Sequence, residues 1–80
     1  MNEFGIIAKL YPNPTNSIVN IEAEGLQRLT VTNTLGQTLY DREVKADNAQ
    51  IEMAQFGVGT YLIRIYTENG TTVRRINVIR

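Results

Sequence analysis

The side chains that could perform chemistry in this chain are mainly carboxylates, because histidine and cysteine are absent and Ser17 is the only serine. Nucleophile–base pairs of the Ser–His or Cys–His kind therefore cannot be built, and zinc loses its usual nitrogen and sulfur ligands. Glu22 and Glu24 stand two residues apart, which places both on one face of a strand and could hold paired carboxylates. A solvated polar face is the simpler interpretation, and we expect no enzyme.

Two further patterns could bind or carry a group. Asp41, Glu43 and Asp47 offer oxygen ligands for calcium, but no loop concentrates them as such a site demands. Asn69-Gly70-Thr71 matches the N-glycosylation sequon, although a hairpin turn already explains Asn and Gly at these positions. We therefore predict that the chain has no metal, no cofactor and no small-molecule substrate.

Charge and composition exclude other classes of protein. Eight basic residues balance eight acidic ones in a chain of 80 residues, whereas a nucleic-acid binder shows a net basic footprint. No apolar run approaches the about 20 residues of a membrane span. A charged leader with an apolar stretch is also missing, so we expect no N-terminal signal peptide in these residues. A domain this small is expected to be modestly stable or to be helped by a neighbouring domain.

The turn signals recur about every eight to twelve residues, and no segment has the apolar period of a helix. This pattern predicts an all-β fold, an antiparallel two-sheet sandwich of immunoglobulin or fibronectin type with about seven strands. Gly25 is predicted to end the second strand, and residues 45–49 to form a loop. The predicted strands are 6–10, 18–23, a segment around 29–31, 37–44, 51–53, 60–68 and 71–79.

Two motifs mark connections between the early strands. Tyr11-Pro12-Asn13-Pro14 stops the first strand, because each proline lacks an N–H donor and restricts its neighbour to extended geometry. We expect this connection at an edge or rim of a sheet. Asn33-Thr34-Leu35-Gly36 favours a tight hairpin, since a type I turn followed by a left-handed glycine prefers Asn first and Gly fourth.

The last hairpin is predicted to turn at Asn69-Gly70, a dipeptide that suits a type I′ turn. In that register the core face pairs Ile63 with Ile76, and the outer face sets Arg64 opposite Arg75. Two like charges directly opposite one another are locally unfavourable. Either acidic neighbours compensate or the basic patch is kept for a partner. The residues predicted for the core are Ile21, Val31, Phe56, Tyr61 and Ile63.

Four segments occur in order along almost the whole chain. They read LYPNPTN at 10–16 with the strand 18–22 after it, NTLGQ at 33–37, FGVGTYLIRI at 56–65 and VRRINVIR at 73–80. Together they resemble the C-terminal sorting domain of the type IX (Por) secretion system, with its opening YPNP motif, central turn, L-x-x-G-x-Y-x-x-R-I element and basic last strand. Phe56 replaces the commoner Leu, Gly57-Val58 replaces a pair such as Pro-Ser, and Arg replaces Lys in the last strand.

The resemblance implies a signal domain that directs a cargo protein across the outer membrane and is then cleaved off while the cargo is anchored at the cell surface. Residues 9–80 would be this domain, and 1–8 a linker or first-strand region after a missing passenger, with cleavage near or before residues 1–5. The implied partners are the type IX translocon, a sortase-like surface peptidase and the N-terminal passenger, without nucleic acid. The implied location is the periplasm in transit, then the outer-membrane surface or the extracellular space.

The candidate site follows from the resemblance and from the last hairpin. An open edge strand would suit recognition by strand addition, in which backbone hydrogen bonds supply affinity. The residues expected to form the family motif are Tyr11, Pro12, Asn13, Pro14 and Gly36. The residues expected to serve recognition by the translocon are Gly59, Tyr61, Arg64, Arg74, Arg75, Val78 and Arg80.

A different class of function is also compatible with a small β-domain. An immunoglobulin- or fibronectin-like spacer or adhesion module, including one that binds carbohydrate, would use exposed aromatic side chains, for which Tyr40 and Tyr66 are the candidates. Position in the native protein distinguishes the two classes, because a sorting domain must end its chain whereas a spacer can occur anywhere.

Overall fold

A computed structural model, which describes residues 8–80, shows five β-strands in one antiparallel sheet. The strands are β1 (Ala8–Tyr11), β2 (Ile18–Asn33), β3 (Thr38–Glu52), β4 (Gly59–Thr67) and β5 (Gly70–Val78), with a short 3-10 helix at Met53–Phe56. The predicted all-β antiparallel class is confirmed. The described residues form five strands rather than about seven, and the sheet is curled into a half-barrel, so a two-sheet sandwich is not confirmed.

The long strand β2 organises the sheet. One of its edges pairs with β3, while the other carries β1 near its start and β4 near its end. The register with β3 shifts between Glu22 and Leu26, where Gly25 has a φ of 69°. Such a bulge bends a strand and increases its twist, so β2 turns the sheet on itself instead of ending. The prediction that Gly25 ends a strand is therefore wrong.

The polar segment 45–49, predicted as a loop, belongs to β3. Asn48 pairs with Glu22, and Ala49 pairs with Ile21. Within residues 8–80, β3 pairs only with β2 and is an edge strand. Charged side chains are typical of edges because they discourage pairing with other chains. The polarity of this segment reflects its exposure to solvent and not a break in the strand.

The last hairpin turns one residue earlier than predicted. Its two loop residues are Glu68 and Asn69, since Thr67 pairs with Gly70. The hydroxyl of Thr67 closes this turn, because it accepts a hydrogen bond from the Asn69 N–H (3.1 Å) and donates one to the Gly70 carbonyl (2.9 Å). No described residue other than glycine has a positive φ, so Asn69 does not adopt the conformation that a type I′ turn requires.

The earlier turn moves the register by two residues. Arg64 lies opposite Val73, and Arg75 lies opposite Leu62, so the predicted like-charge pair of Arg64 with Arg75 is wrong. A shift by two keeps every side chain on its predicted face, because side chains alternate with a period of two along a strand. The buried faces of β4 and β5 are therefore as predicted, although the predicted register is wrong.

The first hairpin is as predicted. The Gly36 N–H donates to the carbonyl of Asn33 (3.0 Å), and Gly36 has a φ of 87°, which is the left-handed region. The side-chain oxygen of Asn33 accepts from the N–H groups of Leu35 (2.9 Å) and Gln37 (3.0 Å). The asparagine side chain thus satisfies the backbone donors of the turn.

The hydrophobic core fills the concave side of the curled sheet. The predicted core residues Ile21, Val31, Tyr61 and Ile63 are buried, and Phe56 is half-buried against them. No helix within residues 8–80 is long and apolar enough to cross a membrane. The buried apolar residues are Val19, Ile21, Ala23, Leu26, Leu29, Val31, Val44, Ile51, Met53, Tyr61, Ile63, Ile65, Ile76 and Val78.

Candidate functional site

Segments that are far apart in the sequence meet at one end of the sheet. The turn that follows β2 begins at Asn33, which pairs with Tyr61 near the start of β4. Tyr61 in turn pairs with Ile76 near the end of β5. Three of the four family-like segments therefore lie side by side across neighbouring strands.

The fourth segment completes this end of the molecule. Residues 12–15, which we call the strap, run along the outer edge of β5. The Asn13 side chain donates to the Arg75 carbonyl (3.0 Å) and accepts from the Asn77 N–H (3.2 Å). The Thr15 N–H donates to the Asn77 carbonyl (2.9 Å), and the Thr15 carbonyl accepts from the Ile79 N–H (2.8 Å). The strap thus satisfies the Arg75 carbonyl, both backbone groups of Asn77 and the Ile79 N–H on the outer edge of β5.

The strap is anchored at Thr15, whose side chain is 1% exposed. Its hydroxyl donates to the Ile18 carbonyl (3.0 Å) and accepts from the Ser17 N–H (3.2 Å). Pro12 and Pro14 are exposed, and the peptide bond before each of them is cis. This agrees with the expected connection at a sheet edge and identifies the edge as that of β5.

Tyr61 supports the loop before β4 from inside the core. Its hydroxyl contacts the carbonyls of Phe56 (2.6 Å) and Gly57 (2.9 Å) and donates its hydrogen between them. Its ring lies 5.9 Å from that of Phe56, which is 6.2 Å from the ring of Tyr40. Centroid distances in this range are typical of stabilising aromatic pairs, so the three rings hold the 3-10 helix against the start of β4.

The residues expected to serve recognition do not form one surface. Tyr61 and Val78 are buried, so neither side chain presents more than a small surface to a partner in this fold. Gly59 pairs with Val78, which places it at the same end as the strap.

The four arginines of this set are distributed over several faces. Arg64 and Arg75 are exposed on the convex side of the sheet, diagonal to one another. Arg74 lies on the opposite side, half-buried, where its guanidinium donates to the Thr72 hydroxyl (2.5 Å) and to the Val73 carbonyl (3.2 Å). Arg80 is exposed beyond the end of β5.

A hollow beside the strap was not predicted from the sequence. Its volume is about 220 Å³, and Val58 and Ile79 at its sides are 59% and 47% exposed. The sequence contains a signal for this hollow, because two apolar residues, Val78 and Ile79, follow one another at the end of β5. Adjacent residues of an extended chain point to opposite sides, so only one of the two can face the core. The residues that line the hollow are Asn16, Ala54, Gly57, Val58, Val78, Ile79 and Arg80.

A larger depression of about 550 Å³ lies beside the bulge of β2, away from the four segments. Glu43, Asp47 and Glu68 contribute carboxylates to its wall, and Asp47 accepts a hydrogen bond from the Gly25 N–H (3.1 Å). Within residues 8–80 no group of three or more acidic, histidine or cysteine residues could hold a metal ion. Size alone therefore does not make this depression the functional site.

The remaining charged candidates take part in surface contacts. Arg28 donates to both carboxylate oxygens of Asp41 (2.7 and 2.5 Å), and these hydrogen bonds lower the pKa of Asp41 and raise the pKa of Arg28. The Arg28 guanidinium also lies 6.0 Å from the ring centre of Tyr66, a cation–π distance. Glu22 accepts a hydrogen bond from the Tyr11 hydroxyl, which raises the pKa of Tyr11.

The two tyrosines considered for carbohydrate binding are engaged with other side chains. Tyr40 is half-buried against Phe56, and Arg28 lies over Tyr66. The two rings therefore do not present a shared open platform, and nothing in the structure favours the spacer or adhesion module specifically.

Comparison with known proteins gives one assignment. The family model for the secretion system C-terminal sorting domain matches residues 9–79, which include all four of the segments that meet around the strap except the final Arg80. A search of curated proteins found no match. The chain therefore belongs to the family of C-terminal sorting domains, the signals for type IX secretion.

Proposed function

We propose that this domain delivers a passenger, which precedes it in the same chain, to the type IX translocon. A sortase-like surface peptidase then removes the domain while the passenger is anchored at the cell surface. Family membership supports the proposal, since a type IX sorting signal belongs to a secreted or cell-surface protein. In this proposal residues 9–80 are the sorting domain, residues 1–8 are the linker, and the passenger crosses the periplasm in transit. The expected cleavage point, near or before residues 1–5, lies outside the described residues.

The observation that carries the proposal is the meeting of the four segments at one end of the sheet. Asn13 and Thr15 join the first segment to the last, and Tyr61 joins the third to the second through its pairing with Asn33. A partner that binds this end contacts a surface that exists only when the whole domain is folded. We propose that this end, with Gly59, Arg75 and Arg80, is the surface that the translocon reads.

The strap covers part of the outer edge of β5, and this supports recognition through side chains rather than through strand addition. The strap occupies the Arg75 carbonyl, both backbone groups of Asn77 and the Ile79 N–H. Because the direction of backbone groups alternates along a strand, those of Thr71 and Val73 point to the same edge as those of Arg75 and Asn77. The Val73 carbonyl is already occupied, since the Arg74 guanidinium donates to it. Strand addition needs free backbone groups in a row. Between residues 73 and 79 the strap and Arg74 occupy the carbonyls of Val73 and Arg75, both backbone groups of Asn77 and the Ile79 N–H, which interrupts such a row.

Export of a fusion protein tests the proposal. Residues 9–80 are placed behind a reporter that carries its own signal for transport to the periplasm, and the secreted fraction is measured in cells with a working type IX system. We expect the reporter in the medium or at the cell surface, and in the periplasm of cells that lack the translocon. Retention of the fusion in the periplasm of competent cells, with the domain resistant to protease, would contradict the proposal.

A further inference from the structure

The hollow beside the strap has an apolar floor and one cationic side. Val78, which is 3% exposed, forms its floor, and the small residues Ala54 and Gly57 contribute to its wall. Val58 and Ile79 project beside it, and Arg80 lies at its rim. Single exposed apolar residues are normal on protein surfaces, but here two of them flank the same concavity.

The size of the hollow indicates what it can hold. At about 220 Å³ it is smaller than the roughly 300–1,000 Å³ of a typical small-molecule site. It is open to solvent along a surface that three of the four family-like segments build together, through Asn16, Val58 and Ile79. A concavity of this size suits an apolar anchor side chain of another protein, since such anchors fill small pockets near the centre of an interface.

The positive charge of Arg80 at the rim indicates which charge the occupant of the hollow carries. Arg80 is exposed, and none of the described residues that line the hollow has an acidic side chain. Charged groups at the rim of an interface are arranged against opposite charges on the partner. The complementary occupant therefore has a carboxylate next to its apolar side chain.

We infer that the hollow is a docking site for a protein segment of the export machinery that presents a bulky apolar side chain beside an acidic residue. This inference rests on the proposed function and assigns a specific contact to it. Val58 and Ile79 enclose the apolar side chain, and Arg80 pairs with the acidic residue. The occupant binds through side chains, because the adjoining edge of β5 is covered by the strap.

The test compares single substitutions in the exported reporter fusion. Val58→Asp places a carboxylate at the mouth of the hollow, where it repels an acidic partner and removes apolar contact. The matched control is Leu39→Asp, which makes the same kind of change at a 40% exposed position of β3. We expect the secreted fraction to fall about tenfold or more for Val58→Asp, as for the loss of an interface anchor, and to stay near the parental value for Leu39→Asp. Thermal unfolding of each variant shows whether the fold is retained.

Two further variants separate shape, charge and folding. Val58→Thr keeps the shape of the side chain and removes part of its apolar surface, so we expect reduced export at an unchanged melting temperature. Arg80→Glu is expected to reduce export strongly, whereas Arg80→Lys retains most of it.

The outcomes distinguish this inference from the proposed function. If the parental fusion is not exported, the proposed function fails and the docking site fails with it. If the parental fusion is exported and both Val58 variants are exported equally well, the docking site is overturned while the proposed function stands. If Arg80→Glu is exported as well as the parental fusion, the inference that the occupant carries an acidic residue is wrong.

Discussion

Ile63 lies at the centre of the concave face of the sheet. It pairs with Val31 of β2 on one side and with Arg74 of β5 on the other, and its side chain is completely buried. A large side chain that is enclosed on both sides leaves a cavity when it is shortened, because the surrounding strands relax only in part.

Shortening this side chain therefore tests the core. We expect Ile63→Ala to lower the free energy of unfolding by about 2–5 kcal/mol, as measured by urea denaturation. The matched control is Ile18→Ala, at a position that is 41% exposed, for which we expect a change within about 0.5 kcal/mol. An Ile63→Ala protein with the same denaturation midpoint as the parent would show that this face is not buried.

The ion pair of Arg28 with Asp41 gives the fold a dependence on pH. Hydrogen bonds from Arg28 hold the pKa of Asp41 below its usual range, so the folded-state pKa is lower than the unfolded-state value of about 3.9. The pair therefore stabilises the fold above that value, and its contribution is lost as the pH falls through the folded-state pKa. Because both groups are exposed, the contribution is small and falls at high salt.

Replacing Asp41 tests this dependence. We expect Asp41→Asn to be slightly less stable than the parent at neutral pH, and we expect this difference to shrink between neutral pH and about pH 2, because the stabilisation by the ionised carboxylate is lost as the pH falls through its folded-state pKa. Urea denaturation at the two pH values, with Glu24→Gln as the control at an exposed position, measures the difference. If the difference in unfolding free energy between the parent and Asp41→Asn were larger in acid than at neutral pH, the ionised carboxylate of Asp41 would not stabilise the fold.

Residue patterns predicted burial better than they predicted contacts. The alternation of Tyr61, Ile63 and Ile65 indicated the buried face of β4, because the period of two holds in any register. The partner of Arg64 could not be found in this way, since turns at Glu68-Asn69 and at Asn69-Gly70 leave the same faces buried. The hydroxyl of Thr67 selects between them, and that hydrogen bond has no signature in the pattern of apolar residues.

At the level of elements, the bulge at Gly25 joins two predicted strands into β2, and the continuation of β3 through residues 45–49 joins two more, so five strands form in the described residues where about seven were expected. A Cβ on Gly25 would approach the Glu68 side chain to 3.1 Å, and its φ of 69° favours glycine. Local sequence shows a glycine between two strand-like segments, which is equally typical of a turn and of a bulge. Pairing with β3 across the interruption decides for the bulge, and this pairing partner lies outside any local window.

The strap is the element whose role was hardest to predict. The two prolines indicated a connection at a sheet edge, which is correct. Asn13 of this connection contacts Arg75 and Asn77 of β5, which lie 62 and 64 residues further along the chain. No spacing rule connects Asn13 with Asn77, because both are exposed polar residues in segments that do not adjoin in sequence. The motif could thus be found from the sequence, but its contact could not.

Removing the Asn13 side chain tests the strap. Asn13→Ala loses two hydrogen bonds to β5, and we expect a loss of about 0.5–1.5 kcal/mol for each of them at most. Amide hydrogen exchange gives the sharper readout. The Asn77 N–H should exchange faster, whereas the Ile79 N–H, which donates to the Thr15 carbonyl, should keep its protection.

Two variants control this experiment. Asn16→Ala removes an exposed amide next to the strap and should leave both amides protected. Asn13→Asp keeps an oxygen that can accept from the Asn77 N–H but loses the donor to the Arg75 carbonyl, so the Asn77 N–H should stay protected. Unchanged exchange of the Asn77 N–H in Asn13→Ala would show that the strap does not hold β5 in solution.

For the whole molecule, the exposed arginines near the end of β5 allow the proposed recognition surface to be tested separately from the fold. Arg75 and Arg80 are exposed, so their side chains contribute little to stability. We expect the double variant Arg75→Ala, Arg80→Ala to unfold within about 0.5 kcal/mol of the parent and to show a reduced secreted fraction as a reporter fusion.

Arg42→Ala is the matched control for charge, because Arg42 is an exposed arginine of β3. It should unfold and be exported like the parent. Normal secretion of the double variant, measured beside this control, would remove the two arginines from the recognition surface.

The strap also sets the order in which the domain can be completed. Its partners in β5 follow it by more than 60 residues, so a chain synthesised from its N-terminus makes this contact last, and closing so long a loop is slow. Until then the edge of β5 is bare, and a bare edge is a template for pairing with other chains. A fragment without either end cannot form the contact at all. We therefore expect the same four hydrogen bonds to form only in a complete domain and to reduce pairing of this edge with other chains.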